Sequence, residues 1–135
     1  MLLWMAGFAL GAPQVEVVKI PMGSFLMGSD EEGTFGDEKP VHKAVLTHDF
    51  YMMKYEVTQE FYMELVPENP SKFKECGPDC PVEMVSWTDA AQFANALSRS
   101  HGMEECYSIG LGQTIWEKGY GCSGWRLPTE AEWEY

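Results

Sequence analysis

The stretch Arg126-Leu-Pro-Thr-Glu-Ala-Glu-Trp-Glu-Tyr135 decides the fold, because it contains a complete signal for the start of a helix. Thr129 is a favourable N-cap residue, and Glu132 three positions later completes the Ser/Thr-x-x-Glu pattern of a capping box. Few residues follow the cap, and isolated helices shorter than ~12 residues are marginal in water. We therefore expect a helix that depends on tertiary packing, in a chain that forms the N-terminal part of a larger domain.

The composition favours a loop-rich α+β domain. The chain has 135 residues, 45% of them hydrophobic, which is enough for one core. It contains 13 glycines, 8 prolines and 5 tryptophans, a combination typical of irregular backbone anchored by large aromatic side chains rather than of a helix bundle. The formal net charge of −12 repels phosphate backbones and anionic membranes, so nucleic acid is not an expected partner.

Residues Met1–Pro13 are apolar and uncharged. At ~12 residues this segment is too short to span a bilayer, and it is similar to the hydrophobic region of a signal peptide. Ala9 and Gly11 give a small-residue cleavage pattern before Ala12, although the basic residues that begin a signal peptide are missing. We expect residues 1–13 to be the remnant of a signal peptide, and the protein to be exported to the periplasm or cell surface. An ordinary buried first strand is the alternative.

The first third of the chain contains β-strand patterns. Val15–Ile20 and Gly23–Ser29 each predict a strand, and the turn residues Pro21-Met-Gly23 between them predict a hairpin. Val41–Val57 is too long for one strand, so we expect two strands that divide near His48-Asp49. The intervening segment Asp30–Pro40 is rich in carboxylates, glycine and proline, and this composition predicts a solvated acidic loop. A Ca²⁺ site is the alternative, although the ligand spacing of an EF-hand is absent.

Two helices are predicted in the middle of the chain. Thr58 can cap a short helix over Gln59–Leu65, and Ser86-Trp-Thr-Asp89 is a second capping box that begins a helix from Trp87 to about Ser100. The second helix has an apolar face, and Gly102 stands where a C-terminal glycine is expected. The residues of that face are Trp87, Ala90, Ala91, Ala94 and Leu97. Gly110–Gly124 has no sustained hydrophobic periodicity, which indicates a loop or an irregular hairpin.

The four cysteines are Cys76, Cys80, Cys106 and Cys122. We favour the disulfides 76–80 and 106–122 among the three possible pairings, because a Gly-Pro turn folds the first pair together and the second pair brackets a glycine-rich loop. Closing a 15-residue loop is worth ~3 kcal/mol in the chain-entropy treatment, and disulfides favour an oxidising compartment. A zinc site and a redox-active Cys76/Cys80 pair are the alternatives.

The sequence alone assigns no catalytic, cofactor-binding or metal-ligating residue. His42, His48 and His101 share no motif with a nucleophile or a carboxylate, and we interpret them as surface or hydrogen-bonded structural residues. Glu130 and Glu134 lie four apart and superficially resemble a catalytic carboxylate pair, but the dipole of a helix start already accounts for acidic residues there.

Five ordered blocks of the sequence resemble the conserved blocks of the formylglycine-generating enzyme (sulfatase-modifying factor) family, over about residues 18 to 135. They are Gly23–Ser29, Asp37–His42, Phe50–Thr58, Pro81–Trp87 with Asp89-Ala90, and Arg126–Tyr135. The resemblance implies a C-type-lectin-like α+β fold, with residues 14–135 as the N-terminal part of the domain. The cysteines around Cys76–Cys80 and before Gly124 are also similar to those of exported bacterial members.

The resemblance also implies an activity. Enzymes of this family use copper, O₂ and a cysteine pair to oxidise a sulfatase cysteine to formylglycine, and they carry structural calcium. The family's catalytic cysteines and calcium ligands match no position here, so we expect a fragment of such an oxidase that is inactive alone. In that reading Trp87, Trp125 and Trp133 anchor the core, and Arg126 pairs with Glu130 or Glu132. The alternative is a non-catalytic lectin-like binding or assembly module, since fold alone does not fix function.

Overall fold

The computed structural model describes residues 12–31, 33 and 35–135, and it confirms the loop-rich α+β class. The predicted signal peptide lies almost entirely outside the described residues. The strands are β1 (Val17–Ile20), β2 (Gly23–Met27), β3 (His42–Leu46), β4 (Phe50–Met53), β5 (Ser108–Gly110) and β6 (Gln113–Ile115). The helices are α1 (Gln59–Leu65), α2 (Trp87–Ser100) and α3 (Glu130–Glu134).

The chain divides into two compact units. One consists of Glu16–Lys54 with Pro128–Tyr135 and is called here the ribbon unit. The other contains Tyr55–Leu127 together with residues 12–15 and is called the helical unit. Each unit is described by itself below.

The ribbon unit is built on two antiparallel strand pairs, β1 with β4 and β2 with β3. The predicted division of the Val41–Val57 segment into two strands is confirmed, but the predicted β1–β2 hairpin is wrong. A two-residue hairpin loop needs a positive φ at its first residue, and Pro21 is restricted to a negative one. The proline therefore bends the chain, and β2 continues in the direction of β1.

The bend in the ribbon is a bulge. Ile20 lies opposite Phe50 and Gly23 lies opposite Leu46, so residues 21 and 22 face the three residues 47 to 49. Asp49 fastens the bend, since its carboxylate accepts from Met22 N–H at 2.9 Å and forms an ion pair with Lys19 at 2.7 Å. The hydrogen bonds from Lys19 and Met22 lower the pKa of Asp49 below its ordinary value.

Helix α3 packs on the ribbon inside the same unit. The predicted capping box is present, with the Thr129 hydroxyl accepting from Glu132 N–H at 3.2 Å and the Glu132 carboxylate accepting from Thr129 N–H at 2.9 Å. Glu134 accepts from Gly28 N–H at 2.7 Å, and the ring of Tyr135 lies 5.4 Å from that of Phe25. The short helix is thus stabilised by tertiary contacts, as its length requires.

The helical unit is organised around α2. Both predicted helix starts are confirmed: Thr58 caps α1, and Ser86 with Asp89 forms the capping box of α2. The two helices meet through aromatic rings, with Tyr62 stacked on Phe93 at 5.1 Å. Burial raises the pKa of Tyr62, and the negative charge of Asp89 adds to the effect.

The core of this unit lies beneath the predicted apolar face of α2. Ala91 and Ala94 are buried with Cys106 and Tyr107, and Trp125 and Leu127 pack partly buried against them. Trp125 therefore serves as the expected core anchor. Trp87 and Trp133 do not, since they are 53% and 71% exposed. Trp87 stands at the first position of α2 and touches Tyr107 only edge-on, while α3 turns Glu132 inward instead of Trp133.

Candidate functional site

The most unusual feature of the helical unit is a pair of exposed apolar side chains on strained backbone. Met84 has a φ of 61° and Leu111 a φ of 48°, and within the described part of the chain these are the two non-glycine residues with a left-handed backbone. Met84 is 69% exposed and Leu111 is completely exposed. Strain at bulky residues is uncommon and is concentrated at functional positions, so this surface is the candidate site.

The geometry of the hairpin explains the position of Leu111. Strands β5 and β6 pair antiparallel and are joined by Leu111-Gly112, with positive φ at both residues. This is the backbone of a type I′ turn, in which asparagine or glycine normally occupies the first position. The turn therefore holds a leucine at the tip of a rigid hairpin, with its side chain in water.

Two contacts fix the hairpin against the start of α2. The Thr88 and Thr114 hydroxyls are hydrogen-bonded at 3.1 Å, and the Trp87 and Tyr107 rings meet edge-on at 5.7 Å. The exposed apolar residues of the hairpin, of the first position of α2 and of the segment before it are named here together the hairpin surface. They are Met84, Trp87, Ile109, Leu111 and Ile115. Ile109 lies opposite Thr114 in the strand register, so Ile115 lies on the other face of the hairpin.

A cleft of about 410 Å³ begins beside Ile109 and extends between α1 and α2. Its apolar walls include Leu65, Val66 and Ala96, and the ion pair between Arg99 and Glu105 stands among the lining groups at 2.9 Å. The cleft is of the size that receives one or two side chains of a bound chain.

Asn95 fixes the backbone of Cys106 and Tyr107 beside the cleft. Its Nδ2 donates to Tyr107 O at 2.7 Å, and its Oδ1 accepts from the N–H groups of Cys106 and Tyr107, each at 3.1 Å. The Tyr107 hydroxyl in turn accepts from Leu127 N–H at 2.9 Å. Burial raises the pKa of Tyr107, so this group remains a neutral hydrogen-bonding residue over the physiological range.

A cation–aromatic cluster lies after the hairpin. The Arg126 guanidinium lies 5.4 Å from the Trp116 ring centre and 5.2 Å from that of Tyr120. Arg126 also donates to Leu127 O at 3.1 Å. The expected pairing of Arg126 with Glu130 or Glu132 stays a prediction.

All four cysteines form disulfides, in the two pairs that the sequence favours, Cys76–Cys80 and Cys106–Cys122. Copper in a cysteine site needs thiolate ligands, and disulfide sulfurs do not supply them. The residues of this chain therefore do not fit the copper centre that the resemblance implies. The described residues contain no group of three histidine, cysteine or carboxylate side chains placed to hold a metal ion.

The histidines and the paired glutamates have structural contacts. His101 joins α2 to the start of the unit: its Nε2 lies 2.9 Å from Pro13 O, and Trp125 Nε1 donates to its Nδ1 at 3.2 Å. A proton on Nε2 makes both contacts hydrogen bonds, whereas Leu97 O, 3.1 Å from Nδ1, would need the proton on Nδ1 instead. His42 and His48 are exposed and lie next to Pro40 O and the Thr47 hydroxyl. Glu134 binds Gly28 N–H, as a helix-packing residue, whereas Glu130 is exposed.

Met84 and Leu111 were not predicted from the sequence as site residues. Leu111-Gly112 lies near the start of Gly110–Gly124, the segment interpreted from the sequence as a loop or an irregular hairpin, but that pattern did not indicate where the turn falls. No comparable signal existed for Met84. Among the described helices, none has the length and apolar character that crossing a membrane requires.

A loop-rich α+β domain with two disulfides defines the class of this protein. The profile of the sulfatase-modifying factor enzyme 1-like domain matches residues 9–135, and the chain belongs to that family. The chain is 38% identical to "Chaperone protein LppX" of Paenibacillus barcinonensis, in an alignment that covers 78% of this chain and 42% of that protein.

Two solved structures are also similar. "Treponema denticola variable protein 1" has a TM-score of 0.72 and 27% identity, over 88% of this chain and 51% of that one. The structure entitled "Crystal Structure of CarF" has a TM-score of 0.62 and 28% identity, over 90% of this chain and 55% of that one. The chain thus spans about half the length of these proteins, and less than half of the curated relative.

Proposed function

We propose that this domain is a non-catalytic protein-binding module that holds apolar segments of unfolded exported polypeptides, in the manner of a chaperone. The observation that carries the proposal is the pair of strained, exposed apolar residues Met84 and Leu111 on the hairpin surface. A flexible methionine and a leucine presented in water suit weak, sequence-tolerant binding of apolar side chains. The adjoining cleft offers room for one such side chain.

Rigidity supports a binding role. The hairpin is held to α2 by the Thr88–Thr114 hydrogen bond, and the Cys106–Cys122 disulfide closes the loop that contains the hairpin. A preformed surface loses little conformational entropy on binding, which favours affinity without a large interface. The net charge of −12 also favours unfolded segments that carry basic residues, and it keeps a complex with an aggregation-prone chain soluble.

Similarity adds to the proposal. A relative at 38% identity is named a chaperone protein. The two disulfides are typical of oxidising compartments, which supports the proposal that the protein acts outside the cytoplasm.

The direct test is suppression of aggregation. Urea-denatured bacterial α-amylase is diluted into buffer with increasing amounts of the purified domain, and light scattering is recorded. We expect scattering to fall with stoichiometric amounts of the domain. The double variant Met84→Asn with Leu111→Asn should lose this effect, because asparagine tolerates the left-handed backbone but removes the apolar side chains.

The matched control is Met63→Gln on the exposed face of α1, where the side chain is 46% exposed and lies on ordinary helical backbone. This variant should suppress the aggregation of α-amylase as well as the unaltered domain does. Equal activity of all three proteins, or no suppression by any of them, would reject the proposal.

A second candidate is part of a formylglycine-generating oxidase acting on a sulfatase-like protein, with copper as cofactor. Membership of the sulfatase-modifying factor family favours it. Incubation of the domain with a Cys-x-Pro-x-Arg peptide, copper and O₂, followed by mass spectrometry, tests this candidate separately. The mass loss of a cysteine-to-formylglycine conversion would establish an oxidase. It would also show that residues other than the four disulfide-bonded cysteines support the reaction.

A further inference from the structure

The two disulfides differ in their exposure to solvent. Cys106 is 3% exposed and belongs to the hydrophobic core under α2. Cys76 is exposed and Cys80 half-buried, in a loop whose neighbours Glu75, Pro78 and Asp79 are also exposed. Cys122 is half-buried against the same core, as Cys80 is in its loop, so the most exposed cysteine of the two bonds is Cys76. Thiol–disulfide exchange requires a thiolate to reach a sulfur atom, and the exposure of Cys76 therefore separates the two bonds.

The backbone around Cys76 and Cys80 is held by contacts that do not depend on the disulfide. Cys76 N–H donates to Phe73 O at 3.2 Å, and Cys80 N–H donates to Gly77 O at 3.3 Å. Gly77, with a φ of 116°, provides the turn between them. The two Cα atoms are 6.0 Å apart, a separation from which the bond can form again after it opens.

A second layer of hydrogen bonds fixes the segment that leads into this loop. The buried Gln59 side chain donates to Phe73 O at 3.2 Å, and the Glu83 carboxylate accepts from Phe73 N–H at 2.7 Å. Ser71 Oγ accepts from Glu83 N–H at 3.2 Å. The loop is therefore anchored on both sides, and opening the disulfide leaves these anchors in place.

We propose that Cys76–Cys80 is a reversible thiol-exchange site, whose partner is a dithiol oxidoreductase of the compartment in which the protein resides. Cys76 is the sulfur that the partner attacks, because it is the more exposed of the two. Cys106–Cys122 is the permanent structural bond.

The exchange balances as follows. A thiolate of the partner attacks Cys76 Sγ, a mixed disulfide forms, the Cys76–Cys80 bond breaks, and Cys80 leaves as a thiolate that takes up a proton. The second thiol of the partner loses its proton and attacks the mixed disulfide, which releases Cys76 as a thiolate that is then protonated. Two electrons and two protons pass from the partner to this chain, and the partner becomes a disulfide. The reverse sequence closes the bond.

Opening the Cys76–Cys80 disulfide affects the first turn of α1. The loop supplies acceptors for the first N–H groups of that helix, with Gln59 N–H donating to Cys80 O at 2.8 Å and Glu60 N–H to Pro78 O at 3.0 Å. The same helix stacks Tyr62 on α2 and places Leu65 in the wall of the cleft. The anchors outside the loop stay in place when the disulfide opens, but Pro78 and Cys80 lose the covalent closure to Cys76 and are then held by hydrogen bonds alone. The first turn of α1 should therefore be less protected, and through α1 the exchange site is connected to the cleft.

The test is graded reduction of the folded domain with dithiothreitol as the dithiol probe, followed by alkylation and peptide mapping. We expect Cys76 and Cys80 to become alkylated at least about ten times faster than Cys106 and Cys122, because access limits the exchange rate. Hydrogen exchange at the Gln59 and Glu60 amides should accelerate at the same time, while the amides in the middle of α2 keep their protection.

Single-cysteine variants identify the attacked sulfur. In Cys80→Ser, Cys76 is a free thiol that should form a mixed disulfide with oxidised glutathione rapidly. In Cys76→Ser, the half-buried Cys80 should react more slowly. Equal opening rates of the two disulfides in the folded chain would overturn the proposal, and so would reduction of Cys76–Cys80 only on unfolding. Selective opening without any change at Gln59 and Glu60 would overturn the connection to α1.

Discussion

The Ser98 hydroxyl accepts a hydrogen bond from Trp125 N–H at 2.8 Å, across 27 residues of sequence. The same hydroxyl donates to Ala94 O at 2.9 Å, and Ser98 is fully buried on α2. A serine inside a helix usually weakens it by competing for its carbonyl groups. Here the hydroxyl satisfies a partly buried backbone N–H as well, and it positions the segment that contains Trp125 and Leu127 on the core.

Replacement of Gly124 by alanine should destabilise the domain by ~1–3 kcal/mol, the usual range for overpacking. A Cβ at this position would collide with the backbone oxygen of Glu104 and would lie 2.7 Å from Ser98 Oγ. Urea denaturation measures the effect. Gly121→Ala is the matched control, since a Cβ there meets nothing within 4 Å. If the two variants have equal midpoints, the close approach of this segment to α2 is not the constraint on Gly124.

Asn95→Ala should strongly reduce the free energy of unfolding, because Asn95 is buried and its side chain is the hydrogen-bond partner of three backbone groups. The substitution removes the partners of one carbonyl and two N–H groups at Cys106 and Tyr107. Each buried polar group left without a partner costs ~1–3 kcal/mol, partly offset by the higher helix propensity of alanine, so we expect a loss of roughly 2–4 kcal/mol. Gln92→Ala, on the exposed side of the same helix, gains the same propensity without the loss and should be near neutral. An equally small effect at Asn95 would contradict this account.

Local signals in the sequence predicted the helix starts, because capping depends on residues three positions apart. Thr58, Ser86 and Thr129 each begin the helix expected of them. The apolar face of α2 was predicted for the same reason, since its period is a property of the helix alone. The resemblance to the sulfatase-modifying factor family rests on five ordered blocks of sequence and agrees with the family match over residues 9–135.

Features that depend on distant contacts were not predictable. The strand partners of β1 and β2 lie fifteen or more positions away in sequence, and the turn signal at Pro21 favoured the wrong pairing. The burial of Asn95 and Ser98 has no pattern in sequence, because their partners lie in separate loops. The candidate site was missed for a related reason: its distinguishing property is a positive φ at Met84 and Leu111, and neither residue type indicates one.

The ion pair of Glu104 should make stability depend on pH. Glu104 binds the Lys118 ammonium group and accepts from Ser123 N–H at 2.7 Å, and these contacts hold its pKa below the ordinary value of 4.5. A carboxyl with a lowered pKa contributes stability above its unfolded pKa and loses it as the pH falls through the folded value. The melting temperatures of the unaltered chain and Glu104→Gln should therefore differ at pH 7 and converge in acid below pH 4.5.

Glu117→Gln serves as the control for this measurement, because Glu117 is an exposed neighbour of Lys118 in sequence. Its melting temperature should follow that of the unaltered chain at every pH. A difference between the unaltered chain and Glu104→Gln that persists unchanged at low pH would mean that the glutamate acts through packing rather than through its charge.

Leu111→Asn should raise the free energy of unfolding of the domain and weaken its binding to unfolded polypeptides. The leucine side chain is completely exposed, so its removal loses no packing, and asparagine relieves a left-handed strain of about 1 kcal/mol. Denaturant midpoints and aggregation assays on the same preparation measure the two effects. Ile115→Asn is the comparison, because Ile115 is 48% exposed on a strand, where asparagine is unfavourable. That variant should lose stability instead. A Leu111→Asn variant that is more stable and still holds clients fully would show that the leucine is a tolerated defect of the turn rather than a binding residue.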